Sequence, residues 1–254
     1  MDVSSSTLRG LAAALAMLGG TGCALTYPTT IPMKTVNELS EPAHHADTLL
    51  VLLPGQGDAP KDFVSHGMLD DVRAMHLPVD VIAADAHLGY YMRSTIVTRL
   101  WEDVLAPAKA QGYAHIWLLG ISLGGGGALS TMRQHPGVVS GVILLAPYLG
   151  DSDLIDGIAE QGGLAAWKPQ PTTDVYALIW QWLQKTTAPG AEGPAIYLGY
   201  GESDRFLKSD AMLAARLPPT RAAHAPGGHD WDTWRTLWKV LLPRALGTRS
   251  VGAK

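Results

Sequence analysis

Short apolar runs alternating with longer helical patterns constrain this chain most. Leu49–Leu53 is an unbroken apolar run ended by Pro54-Gly55. A strand with one wet face alternates polar with apolar residues, so a continuous run describes a strand buried on both faces. Val79–Ala84, Ile116–Leu119, Val138–Leu145, Ala195–Gly199 and Arg221–Ala225 give five more strands. Between them the period becomes helical. Lys61–Met75 places Phe63, Val64, Met68, Leu69, Val72 and Met75 at helix spacing, and Ser94–Gln111 runs from a candidate N-cap, Ser94, to a stop at Gly112, with Pro107 as a point of kinking. Trp231–Leu246 closes the pattern with Trp234, Leu237, Val240 and Leu241 on one face. Such alternation builds right-handed βαβ units, so the expected class is α/β, a mostly parallel sheet flanked by helices. A length of 254 residues suits one domain of this kind. It also buries enough surface to hold a core without disulfide or metal.

The segment 151–190 departs from the alternation. It carries Trp167, Tyr176, Trp180 and Trp182 among Pro, Gly and Thr. It reads as a small cap inserted over the strand ends, with an ordinary pair of packing helices as the alternative. Its aromatics, with Tyr90-Tyr91, suit either an apolar substrate pocket or the core.

The N-terminus has its own logic. Arg9 precedes the apolar run Leu11–Leu18, then Gly-Gly-Thr-Gly and Cys23, the single cysteine. A basic residue, a short apolar stretch and small residues before a cut site describe an export signal over 1–23. The run is far shorter than the roughly 20 residues a membrane-spanning helix needs. The small residues before Cys23 resemble the lipobox of bacterial lipoproteins, although Gly20 occupies the position usual for Leu. That resemblance implies lipidation at Cys23 and an envelope location, anchored to a bacterial membrane and facing the periplasm. The alternative is an ordinary secretory signal. Residues 24–47 show no clean period and read as a tether to a domain spanning 48–254.

Charge excludes some classes. Nineteen Lys and Arg against 23 Asp and Glu give a net charge of −4, without a basic stripe. Nucleic acid is therefore not an expected partner.

Chemistry concentrates where strand Ile116–Leu119 runs into Gly120-Ile121-Ser122-Leu123-Gly124. This is G-x-S-x-G between a strand and helix-compatible sequence. The glycines permit a turn tight enough to leave the serine oxygen exposed above the sheet. A serine hydroxyl needs an adjacent base, and His229 in Gly227-Gly-His-Asp230 lies just past the last strand. An imidazole in turn needs a carboxylate to hold its tautomer. Asp204 after Ala195–Gly199 is favoured, with Asp151, Asp153 and Glu202 as rivals.

The order Ser122, Asp204, His229 and the strand alternation closely resemble the α/β-hydrolase family over roughly Thr48 to Leu246. The resemblance implies a serine hydrolase that cleaves carboxylic esters through an acyl-enzyme, without cofactor or metal. It also implies an oxyanion hole from the backbone amides of Leu123 and, in the loop Leu53–Asp58, Gln56. Many members carry His where this chain has Pro54. Two other functions use the same features: an acyltransferase with this triad, and a non-catalytic envelope lipoprotein using the fold as a binding scaffold. Gly124–Gly127 lacks the residues of a phosphate loop. His44, His45 and Asp47 offer at most two ligands to one metal, short of a zinc site.

Overall fold

Seven strands form one sheet in the order β1-β3-β2-β4-β5-β6-β7. They are β1 Thr35–Glu38, β2 Thr48–Leu53, β3 Val79–Ala84, β4 His115–Ile121, β5 Gly141–Leu145, β6 Ala195–Gly201 and β7 Ala222–Ala225. All neighbours are parallel except β1, which runs antiparallel to β3. The structure, a computed structural model, describes residues 28–38 and 46–247. The segment 1–23 read as an export signal, Cys23 included, and His44 and His45 lie outside the described residues.

The helices are α1 Pro60–Ser65, α2 Met68–Ala74, α3 Leu88–Met92, α4 Ile96–Leu100, α5 Ala106–Ala110, α6 Leu123–Gln134, α7 Ser152–Glu160, α8 Val175–Thr186, α9 Leu207–Ala214 and α10 Trp231–Leu246. The pleat of β2 shows why its run is wholly apolar. Leu49, Val51 and Leu53 join a core with Tyr90, Leu100, Leu129 and Trp180 on one face. Leu50 and Leu52 join Phe63, Met68, Trp238 and Leu241 on the other. Truncating one such buried leucine to alanine costs about 2–5 kcal/mol.

Four expectations need correction. The tether assigned to 24–47 is not free along its length. Met33 is buried, its amide donates to Asp103 Oδ2 at 2.8 Å, and 35–38 is an edge strand. The helix read across Lys61–Met75 is two helices, because Gly67 takes a left-handed φ of 72°. The helix read from Ser94 starts at Ile96 with Thr95 as N-cap, since Ser94 has φ 55°. A π-turn at Trp101–Leu105 separates α4 from α5, just ahead of Pro107. Finally, α8 of the inserted segment gives its buried face, Ile179, Trp180 and Leu183, to the sheet core beside α6. Trp167 is buried in the same core, and Trp180 Nε1 donates to the Leu149 carbonyl at 2.8 Å. These tryptophans pack the domain instead of lining a pocket.

Candidate active site

The residues singled out in sequence meet at the carboxyl ends of the parallel strands, the usual site of ligand crevices in such sheets. Ser122 sits between β4 and α6 with φ 50° and ψ −117°, a conformation that L-residues avoid. Its neighbours hold that strain. The Ser122 amide donates to the Leu145 carbonyl at 3.0 Å, and the Tyr148 and Gly125 amides donate to the Ser122 carbonyl at 2.8 and 2.9 Å. The two glycines of the motif are required by space. A Cβ at Gly120 would lie 2.4 Å from the Gly124 carbonyl oxygen, and one at Gly124 would lie 2.3 Å from that of Leu53.

His229 follows β7 and precedes α10. The side chain of Asp230 caps α10, accepting from the Thr233 amide at 2.9 Å and the Gly228 amide at 3.2 Å. Those backbone bonds hold the Asp230 carboxyl below its ordinary range. The cap fixes the short loop that carries the histidine. His229 Nε2 lies 2.9 Å from Ser122 Oγ, and Nδ1 lies 2.9 and 3.0 Å from the two carboxylate oxygens of Asp204. Asp204 has no exposed side-chain surface, and its Oδ1 also accepts from the Phe206 amide at 2.8 Å.

Two of the rival carboxylates are engaged elsewhere. Glu202 pairs with His224 at 2.8 Å, and Asp151 caps α7 through the Leu154 amide. Asp153 is exposed. Gln56 stands at the exposed turn of the loop after β2, and Leu123 opens α6 beside the serine. Among the described residues no three His, Cys, Asp or Glu side chains gather as a metal site would.

Sequence reasoning missed the ring cage and two carboxylates. Phe206 and Trp234 stand edge-on to the His229 imidazole at 4.9 and 5.0 Å, and Tyr148 lies 5.5 Å from Phe206. Asp58 accepts from Trp231 Nε1 at 3.2 Å. Burial raises its carboxyl above the ordinary range, a shift opposed first by that indole bond. Asp210 on α9 is fully buried and neither of its carboxylate oxygens has a hydrogen-bond partner. Burial, then the charge of Asp204, raises it well above the ordinary carboxylate range. Its only sequence signal was an acidic residue in an apolar helix.

Comparison with known proteins agrees with this architecture. The fold is similar to Est1E from Butyrivibrio proteoclasticus, at 14% identity and a TM-score of 0.57, over 84% of this chain and 94% of that one. It is similar to S-formylglutathione hydrolase (FrmB) from Staphylococcus aureus, at 14% identity and a TM-score of 0.52, over 82% and 93%. The fluorophosphonate-binding serine hydrolase FphF of Staphylococcus aureus gives 14% identity and a TM-score of 0.53, over 84% and 97%. These likenesses establish the α/β-hydrolase fold. No curated protein sequence matches the chain. The family model described as "Putative esterase" matches residues 104–246, more than half of the chain, and the chain accordingly belongs to that esterase family.

Proposed function

We propose that the chain hydrolyses carboxylic esters by a two-step acyl transfer, with Ser122 as nucleophile, His229 as general base and acid, and Asp204 as the carboxylate that orients the imidazole. One observation carries the reading: His229 Nε2 stands 2.9 Å from Ser122 Oγ while Nδ1 faces a buried carboxylate. That geometry lets Nε2 take the serine proton as Oγ attacks an ester carbonyl. Asp204 stabilises the imidazolium without itself taking the proton. The amides of Leu123 and Gln56 receive the oxyanion. The alcohol leaves with the proton held on His229, and water repeats the sequence to release the acid. The matched family span includes Ser122, Asp204 and His229 but begins after Gln56.

The export signal and Cys23 support a location in the envelope, with a lipid on Cys23 as membrane attachment. Mass measurement of Cys23 in membrane-extracted protein tests this part.

The function is tested with p-nitrophenyl esters of graded acyl length, comparing the wild-type chain with Ser122→Ala. Turnover that vanishes in the variant, together with labelling of Ser122 by a fluorophosphonate, supports the reading. Equal, negligible rates in two folded proteins refute ester hydrolysis. Transfer of the acyl group to an added alcohol in preference to water would make the enzyme a transferase.

A further inference from the structure

We propose that Asp58 is a specificity-determining residue that favours esters bearing a positive charge and disfavours those bearing a negative one. The proposal rests on the ester-hydrolase reading of Ser122.

Asp58 ends the Pro54–Asp58 loop, and the Asp58 amide closes that loop on the Gly55 carbonyl at 3.3 Å. The two carboxylate oxygens have different surroundings. Oδ1 accepts from Trp231 Nε1 at 3.2 Å. Oδ2 lies against residue 55. A Cβ at Gly55 would lie 2.7 Å from Asp58 Oδ2 and 3.5 Å from Ser122 Cβ, so the carboxylate and the serine border the same small space. The absence of a side chain at residue 55 is what lets the carboxylate stand this close to the serine.

The carboxylate is held in place. Trp231 is stacked on His66 with ring centroids 4.3 Å apart, and it meets Phe63 and Trp234 edge-on at 5.6 and 5.4 Å. Trp234 in turn packs edge-on against His229. The indole bond therefore ties Asp58 to the wall that also supports the catalytic base. A charge fixed on a half-buried wall discriminates by sign, because it need not reorganise when a substrate group arrives. The titratable neighbours of Asp58 are Asp62, His66 and His229. Arg205 brings a cation to the same region, 5.0 Å from the Phe206 ring centroid, and it is exposed. Bulk water screens that guanidinium more than the half-buried carboxylate.

The test uses two substrate series at low ionic strength. The first holds p-nitrophenyl esters of butyrate, succinate monoanion and 4-trimethylammoniobutyrate. The second compares acetylcholine with the acetate of 3,3-dimethylbutanol, its uncharged isostere. Wild type, Asp58→Asn and Asp58→Ser are compared by ratios of kcat/KM within each series. Asn keeps an acceptor for the Trp231 indole and removes only the charge, which separates a structural role from an electrostatic one. The expected result is a preference for the cationic ester that falls by about tenfold in both variants in at least one series, the size of one partly screened charge contact. Ratios within about twofold of wild type in both variants and both series would overturn the proposal. If the wild-type chain hydrolyses none of these esters, neutral butyrate included, the ester-hydrolase reading fails first. That outcome differs from active enzyme without charge preference.

Discussion

Replacing Gly124 with alanine should disable the enzyme while leaving it folded. The Cβ would meet the Leu53 carbonyl oxygen at 2.3 Å and that of Pro54 at 2.7 Å. Ordinary contact begins near 3.4 Å, so the elbow and the end of β2 must part by about 1 Å. The loop bearing the Gln56 amide starts at these two residues, and the Leu123 amide is adjacent to the substituted position. Oxyanion donors work within a window of about 2.7–3.1 Å, so a shift of this size carries one of them out of range. Loss of one donor costs about 2.7–4 kcal/mol in the transition state, or about 10²–10³ in kcat. KM should change little, because the bond forms only with the oxyanion. The assay is steady-state hydrolysis of p-nitrophenyl butyrate, with thermal melting and far-UV circular dichroism to establish folding. A folded variant whose kcat stays within about threefold of wild type would refute the reasoning and remove the Gln56–Leu123 pair as the oxyanion site.

Three further outcomes are expected. Asp204→Asn should lower kcat by about 10⁴, since an amide holds the wrong imidazole tautomer; a loss under about tenfold would point to another carboxylate. The buried Asp210 has a raised pKa, so the folded state keeps its proton after the unfolded chain has lost it. Stability is therefore penalised increasingly as pH rises above about 4, until the folded pKa is reached. Asp210→Asn removes that penalty, and urea unfolding at pH 4, 6 and 8 should show the variant gaining on wild type as pH rises; a pH-independent difference would contradict this. Gly157 lies in α7, and a Cβ there meets nothing within 4 Å. Gly157→Ala should stabilise by about 0.5–1 kcal/mol through helix propensity, read as a higher Tm with unchanged turnover.

The sheet was legible because parallel strands covered on both faces must be apolar throughout. Val79–Ala84 and the helix Trp231–Leu246 coincide with the sequence reading to the residue. β1 was not legible, since Thr35-Val-Asn-Glu38 is a four-residue edge strand with no apolar run. The break at Gly67 was hidden because apolar spacing continues across it on both sides, and only the positive φ interrupts the helix. At the site, Ser122, Asp204 and His229 could be found because the chemistry demands particular residue types at strand ends. Asp58 and Phe206 could not. Their importance comes from the point to which a loop returns, which no local pattern encodes.

The strapping of residues 28–38 to the domain also sets a length scale. The Thr30 amide donates a hydrogen bond to Tyr90 Oη at 3.1 Å, so any leash running from Cys23 ends there. Seven residues span at most about 25 Å, against roughly 85 Å had the whole of 24–47 been slack. A lipid on Cys23, as proposed, would hold Thr30 within about 25 Å of the bilayer, and the domain with it in the layer beside the membrane. Substrates partitioned into that layer would meet the enzyme far more often than those free in the surrounding compartment.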